Sequence, residues 1–95
     1  MSFSIPFAYA VAPETRAEFE ATYGPDGQWA RFFRDDEHYV ETTLERVADG
    51  EYVVRDHWRS RAHYERFLER NAARYEALSR ASTRLYVSER RLPPT

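Results

Sequence analysis

The 95-residue sequence contains no cysteine. Disulfides, zinc–thiolate centres and cysteine nucleophiles are therefore excluded. No apolar run approaches the roughly 18 residues that a membrane-spanning helix needs, and the apolar N-terminal segment lacks the basic residues of a signal peptide. We expect a cytoplasmic enzyme or binding protein that makes no contact with membranes.

An excess of charge of one sign is also missing. Fourteen Lys and Arg residues face 16 Asp and Glu residues, for a net charge of −2. Nucleic-acid binding needs a basic patch, and none is visible, so no nucleic-acid partner is expected. The spacing of His38, His57 and His63 fits no common helix-borne metal motif, and we expect no metal site.

Aromatic residues, in contrast, make up 16% of the chain. A chain of 95 residues is long enough for one domain, and we predict a single domain over residues 1–95. The core of so small a domain is marginal, and most of the rings are expected to be packing. Pairing with a second copy would add a second core between the subunits.

Hydrophobic periodicity predicts the order β-α-β-β-α-β. Alternating residues predict strands at 3–11, 38–47, 51–58 and 84–90. Helical spacing predicts a helix over 15–23, a short helix over 28–34, and a longer helix that begins after Ser60 and runs through Leu78. This order is typical of a ferredoxin-like α+β fold, in which two helices cover one face of a four-stranded antiparallel sheet.

Local signals refine these elements. Thr15 and Glu18 have the spacing of a capping box, and Ser60 is a candidate N-cap. Asp49-Gly50 predicts a hairpin turn. Pro6 cannot donate to a strand ladder, which predicts a free side or a bulge there.

The alternation also predicts which residues share a sheet face. In the third strand, Tyr52, Val54, Asp56 and Trp58 share one face, and Val53, Arg55 and His57 share the other. In the second strand, Val40, Thr42 and Leu44 are predicted opposite Tyr39, Thr43 and Val47.

Two observations favour two similar halves and a homodimer. Thr15-Arg16-Ala17-Glu18-Phe19-Glu20 is echoed 45 residues later by Ser60-Arg61-Ala62-His63-Tyr64-Glu65, so both helices open on [ST]-R-A-x-[FY]-E. Large residues are also predicted on both faces of the first and third strands. The sheet face that carries no helices must then meet something, and we predict a second subunit.

Two segments resemble the antibiotic biosynthesis monooxygenase (ABM) family of dimeric α/β-barrel proteins. YVVRDHWRSRAHYERFLERNAARYEAL has a strand that ends in Trp58, a cap at Ser60 and an aromatic-rich helix, as that family does. AEFEATYGPDGQWARFFR is similar to the family's first helix, turn and short second helix. The resemblance covers about residues 3–91.

This resemblance implies a pocket in each subunit between the sheet and the helices. It also implies, for some members, oxidation of an aromatic substrate by O₂ without metal or flavin. In those members the deprotonated substrate itself gives an electron to oxygen, so the protein has to bind a ring, exclude water and stabilise a phenolate. We therefore expect no cofactor and a small aromatic or polycyclic ligand.

The resemblance also suggests catalytic roles for Trp58 and Tyr64. Trp58 matches the family's strand-end Trp, and Tyr64 matches a Tyr near the substrate in quinone-forming members. The Asn that those members carry four residues before the Trp is here Val54. Haem-degrading relatives have an Asn on the first strand and a His on the long helix, but the first strand has no Asn here and Phe67 takes the His position, which disfavours haem degradation.

Five further residues are candidates for substrate binding: Phe33, His38, Phe67, Asn71 and Tyr75. Asn71 shares the apolar stripe of the long helix, so its amide needs either a ligand or a backbone partner, and both alternatives stay open. His38 begins the second strand and is a candidate base, because imidazole is the side chain most often used to transfer protons. The alternative for Trp58 and Tyr64 is that they only pack the core. The alternative for the protein as a whole is a non-catalytic dimer that binds a ligand or serves as a scaffold.

Overall fold

The computed structural model describes residues 2–94. These residues form four strands and four helices in the order predicted for two β-α-β halves. Each half contains two consecutive helices in place of one. The elements are β1 (Phe3–Ala10), α1 (Arg16–Tyr23), α2 (Gln28–Phe33), β2 (Tyr39–Ala48), β3 (Glu51–Trp58), α3 (Arg61–Arg70), α4 (Ala72–Ser82) and β4 (Ser88–Arg91).

The strands form one antiparallel sheet in the order β2-β3-β1-β4. This is the ferredoxin-like topology that the sequence predicted, with β1 and β3 in the centre. The two copies of the echoed motif open equivalent helices, since α1 starts after Thr15 and α3 starts after Ser60. The β2–β3 hairpin turns at Asp49-Gly50, where Gly50 has a φ of 71°.

The core lies between the sheet and the helices and is built mainly of rings. The prediction that Tyr52, Val54, Asp56 and Trp58 share one face of β3 is confirmed, and this face is the buried one. Trp58 is fully buried, and its ring lies 5.6 Å from that of Phe33 and 5.3 Å from that of Phe67. Such edge-on and tilted contacts are favourable for aromatic pairs.

The predicted faces of β2 are wrong at its start. The register shifts between Tyr39, opposite Trp58, and Glu41, opposite His57, so Val40 is an extra residue in a bulge. The bulge places Tyr39 on the same face as Thr42, and their hydroxyl oxygens lie 2.7 Å apart. Val40 is half exposed instead of packed.

The predicted caps divide into one correct and one wrong. Ser60 Oγ accepts a hydrogen bond from the backbone N–H of His63 at 3.2 Å, which caps α3 as expected. Thr15 makes no such bond, because its hydroxyl donates to the carbonyl of Leu85 at 3.0 Å. A tertiary contact with the distant C-terminal segment thus replaces the predicted capping box.

The C-terminal elements also differ from the prediction. The long helix is broken at Asn71, whose φ of −120° and ψ of 28° are not helical, so α3 and α4 are separate. The last strand begins at Ser88 instead of residue 84, because Thr83–Leu85 form a 3-10 turn. Leu85 at the end of this turn is buried in the core.

Pro6 lies at the end of the β1–β4 ladder, and not at the free side or bulge that was predicted. Its carbonyl oxygen accepts from the backbone N–H of Leu92 at 3.0 Å, one position beyond the last β1–β4 pair of Phe7 and Arg91. The N and O of one strand residue point to the same side, so the missing N–H of Pro6 also faces Leu92.

The sheet face without helices is called the open face here. The prediction of large residues on both faces of β1 is wrong, since its rings all turn toward the helices and small residues turn away. In β3 the alternate residues do face this side, and Arg55 pairs there with Glu45 at 3.3 Å. The open face includes Ser4, Ala8, Ala10, Thr43, Glu45, Val53, Arg55 and His57, with Ser88 and Arg90 of β4 beside Ala10 and Ala8.

Candidate functional site

A pocket lies between the helix-facing side of the sheet and the four helices. Its cavity volume is about 40 Å³, and it is partly open to solvent. Every helix and three strands contribute to its wall. The lining residues are Phe7, Tyr9, Tyr23, Trp29, Phe33, Val54, Asp56, Tyr64, Tyr75, Ser79 and Glu89.

The wall of this pocket contains a buried carboxylate, Asp56, with only 6% of its surface exposed. Thr42 donates its hydroxyl proton to Oδ1 of Asp56 at 2.9 Å. Among residues 2–94, Oδ2 has no hydrogen-bond partner. It is also not among the fully buried polar atoms that lack a partner, so part of its surface is accessible. One oxygen is thus fixed by the protein, and the other has access to the cavity.

Burial raises the pKa of Asp56 to about 7, and the hydrogen bond from Thr42 opposes part of that rise. The charged carboxylate is disfavoured because the surrounding rings replace water. Near neutral pH the side chain is therefore divided between its acid and its base forms. Groups with this property are suited to proton transfer.

A short chain of hydroxyls orients the carboxylate. Because Thr42 gives its one proton to Asp56, its oxygen is left to accept from the hydroxyl of Tyr39 at 2.7 Å. Tyr39 is brought to this position by the bulge at Val40. The chain therefore depends on an irregularity in β2.

Two tyrosine hydroxyls face the same cavity from the helices. Tyr64 of α3 and Tyr75 of α4 line the pocket, and neither hydroxyl has a hydrogen-bond partner among residues 2–94. The pKa of Tyr64 is raised by burial first and then by the nearby Tyr75 and Asp56. Burial also raises the pKa of Tyr75. Both groups remain protonated donors at neutral pH.

Two other polar side chains of the wall have hydrogen-bond partners within the protein. Tyr9 donates to Glu89 at 2.6 Å, and Trp29 Nε1 donates to Ser82 at 3.3 Å. Glu89 is exposed and belongs to the edge strand β4. The mouth of the pocket is therefore at this edge, and Asp56, on the central strand β3, lies inside it.

Three of the predicted site residues meet in this pocket: Phe33, Tyr64 and Tyr75. They come from three different helices. Phe33 and Tyr75 were predicted from the apolar faces of two helices, and Tyr64 from the resemblance to the ABM family. The tertiary structure brings them together over Val54, the position where quinone-forming members of the resembled family carry Asn. The pocket's carboxylate is two residues further along the same face of β3.

Trp58 and Phe67 lie behind the wall of the pocket and not in it. Trp58 packs edge-on against Phe33 and Tyr64, with ring centroids 5.6 and 5.7 Å away. Phe67 packs against Phe33 at 5.8 Å. Within residues 2–94, the indole Nε1 of Trp58 is buried without a hydrogen-bond partner. Their contacts with the cavity pass through Phe33 and Tyr64.

Asn71 and His38 lie elsewhere. Asn71 Nδ2 donates to the carbonyl of Phe67 at 2.9 Å, which is the backbone contact considered as its alternative. His38 belongs to a separate polar surface pocket, where its ring stacks on that of His63 with centroids 3.6 Å apart. Its Nδ1 lies 2.9 Å from Asp36.

Two features are absent from residues 2–94. No group of three or more metal-ligating side chains in that range is placed to hold an ion. None of the helices in that range has the length and apolar character needed to cross a membrane.

Sequence reasoning missed Asp56 as a site residue although the signal was present. Asp56 stands in the inward set of an alternating strand, between Val54 and Trp58, where an ionisable group is costly unless it has a purpose. Tyr9, Tyr23, Trp29 and Ser79 had no such signal, since only the packing of the helices brings them to the cavity.

The comparisons with known proteins bear on the fold. No family model matches the sequence, and no curated protein does. Among solved structures, SnoaB from Streptomyces nogalater, a cofactor-independent oxygenase crystallised as a mutant, superposes with a TM-score of 0.71 at 22% identity, over 99% of this chain and 90% of that one.

The fold is that of the antibiotic biosynthesis monooxygenases. The monooxygenase ActVA-Orf6 of Streptomyces coelicolor, crystallised with nanaomycin D, has a TM-score of 0.69 at 21% identity, over 99% of this chain and 85% of that one. A protein from Nitrosomonas europaea described as an antibiotic biosynthesis monooxygenase has a TM-score of 0.65 at 13% identity, over 96% and 86%. The resemblance drawn from the sequence is confirmed at the level of the ABM fold.

Proposed function

We propose that this protein is a cofactor-independent monooxygenase that oxidises an aromatic or polycyclic phenol with O₂. The observation that supports the proposal is the convergence of Asp56, Tyr64 and Tyr75 on one aromatic cavity. The ABM fold adds weight, because solved structures with this fold include oxygenases described as cofactor-independent.

The reaction needs little from the protein beyond this cavity. A phenol that loses its proton becomes electron-rich enough to react with O₂ at a ring carbon that bears hydrogen. The hydroperoxide formed there loses water, so phenol and O₂ give a quinone and H₂O. The substrate supplies four electrons, one oxygen atom enters the ring, and the other leaves as water.

The wall of the pocket suits such a substrate. Phe33 and Trp29 offer faces and edges for stacking, and the rings exclude water from the phenolate. The hydroxyls of Tyr64 and Tyr75 are donors that can stabilise negative charge on oxygen. The enclosed 40 Å³ holds only a few water molecules, so a substrate has to extend into the wider mouth beside Glu89.

We assign Tyr64 to contact with the substrate and Trp58 to the support of that contact. Trp58 is fully buried and packs against Phe33 and Tyr64, so it holds two wall residues in place. Phe67 adds to this support from α3. His38 and Asn71 have no part in the proposed reaction.

We further propose that the protein acts as a homodimer joined through the open face. The helices cover one side of the sheet only, and a sheet face left without a cover is a usual place for a partner. Its small residues on β1, Ala8 and Ala10, permit close approach of a second sheet.

Oxygen uptake tests the proposed function. Purified protein, treated with a chelator and free of flavin, is mixed with a panel of naphthols and dihydroxyanthrones in an oxygen electrode. We expect one O₂ consumed per quinone formed, with a lower rate for Tyr64→Phe. Binding of the phenols without any O₂ uptake across the panel would instead support the non-catalytic ligand-binding dimer.

A further inference from the structure

A buried carboxylate lies in the wall of the aromatic cavity, and the proposed function assigns it no step of the reaction. We propose that Asp56 is the catalytic base of this pocket and that its Oδ2 takes the proton of a phenolic hydroxyl on the substrate. The inference rests on the proposed function for its reaction, but its contact with a ligand hydroxyl can be tested separately.

The geometry supports this role in two ways. Oδ1 is held by Thr42 at 2.9 Å, which fixes the plane of the carboxylate, while Oδ2 has no partner among residues 2–94 and has access to the cavity. A carboxylate whose only purpose is structural would use both oxygens in hydrogen bonds with the protein.

The acid–base chemistry is consistent with the geometry. Burial raises the pKa of Asp56 to about 7, so its carboxylate is a stronger base than an exposed one and is still available at neutral pH. The titratable groups around Asp56 do not compete with it from the helices or the other strands. They are Tyr9, Tyr23, Tyr39, Tyr64 and Tyr75, all with raised pKa values, and the exposed Glu89 at the mouth. Arg91 of β4 is a nearby cation, and its charge lowers the pKa of Tyr64 and Tyr75 against the effect of burial.

The proton can be followed through the reaction. The substrate O–H bond breaks, the Oδ2–H bond forms, and the negative charge moves to the phenolate beside Tyr64 and Tyr75. After O₂ adds to the ring carbon, Asp56 returns the proton to the peroxide oxygen. Asp56 then takes the hydrogen of that carbon and passes it to the departing hydroxide, which gives the quinone and water.

This role also defines the class of substrate. The ligand must present a free phenolic hydroxyl to β3 while its rings stack between α2, α3 and α4. A fused phenol such as a naphthol or an anthrone in its enol form meets both needs. An O-methylated analogue has the same rings but no proton to give, and it should not react.

Turnover is the first test of the base. Asp56→Asn keeps the acceptor for Thr42 but cannot take a proton, so kcat/KM for the phenol should fall by about 100-fold or more. The matched control is Asp26→Asn, an exposed carboxylate paired with Arg34 at 3.0 Å, which should leave the rate unchanged. An Asp56→Asn rate within threefold of the wild-type rate would overturn the base and leave the monooxygenase standing.

Binding is the second test and does not depend on turnover. The affinity for a naphthol, a proton donor, should rise roughly tenfold between pH 6 and pH 8, because the ionised Asp56 accepts from it. The affinity for the matching naphthoquinone, an acceptor only, should fall over the same range. Both dependences should vanish in Asp56→Asn, as measured by titration calorimetry.

The two tests separate the two proposals. Opposite pH dependences of binding without O₂ uptake would support the Asp56 contact and reject the monooxygenase. Binding that is independent of pH, or that keeps its pH dependence in Asp56→Asn, would overturn the contact even if the protein consumes O₂.

Discussion

Thr42 on β2 donates a hydrogen bond of 2.9 Å to Asp56 on the neighbouring strand β3, and it is the one such bond to this carboxylate from residues 2–94. The pair is buried, with 2% of Thr42 and 6% of Asp56 exposed. Because the bond is made to the charged form, it lowers the pKa of Asp56 against the effect of burial. Thr42 is therefore a positioning residue that sets both the orientation and the basicity of Asp56.

The first prediction follows from this bond. Thr42→Val removes the donor at nearly constant volume, so the pKa of Asp56 should rise and the acid limb of the kcat/KM profile should move to higher pH. Thr42→Ser should restore the wild-type profile. A profile of Thr42→Val that has the same midpoint and only a lower plateau would contradict the role in basicity and leave a structural one.

The second prediction concerns stability. A pKa of about 7 in the folded state exceeds the unfolded value of about 3.9, so the folded protein binds more protons than the unfolded one between these values. The contribution of Asp56 to the free energy of unfolding is fully present below about pH 4 and falls as the pH rises to 7. Above pH 7 the loss is constant.

Asp56→Asn removes that loss because the amide carries no charge. At pH 8 the variant should be more stable than the wild type by on the order of 2–4 kcal/mol, and the difference should shrink toward pH 4. Urea denaturation at one fixed protein concentration measures both free energies of unfolding. A variant less stable than the wild type at pH 8 would show that the buried charge is better compensated than the structure indicates.

The third prediction separates the support of the pocket from its wall. Trp58→Ala should lower the free energy of unfolding by about 3–5 kcal/mol, because it leaves a large cavity in the ring cluster. Trp58→Phe should cost less and keep part of the activity, since the ring still packs on Phe33 and Tyr64. Loss of all turnover in a fully folded Trp58→Phe would point instead to a direct role of the indole.

The fourth prediction concerns assembly. Sedimentation at micromolar concentration should give about twice the chain mass of 11.3 kDa. Val53→Glu places a charge in the open face and should shift the protein toward the monomer. Val87→Glu is the control, because Val87 is 73% exposed and lies outside the open face, so this variant should remain dimeric. A wild-type monomer at these concentrations would reject the dimer.

The sequence by itself determined the order of elements and the sheet topology, because alternation in strands such as 51–58 and turn residues such as Asp49-Gly50 act locally. It also determined that Tyr52, Val54, Asp56 and Trp58 share one face of β3, since successive side chains of a strand alternate. The structure shows that this face is the buried one. The resemblance to the ABM family depended on the same local patterns.

Tertiary structure alone decided the site. The bulge at Val40 and the bond of Thr15 to Leu85 depend on contacts between distant segments, which no local pattern encodes. Trp58 looked like a wall residue because it ends a strand, but the rings of Phe33 and Tyr64 pack between it and the cavity. Asp56 became the central residue because the burial that raises its pKa and the helices that enclose it exist only in the folded chain.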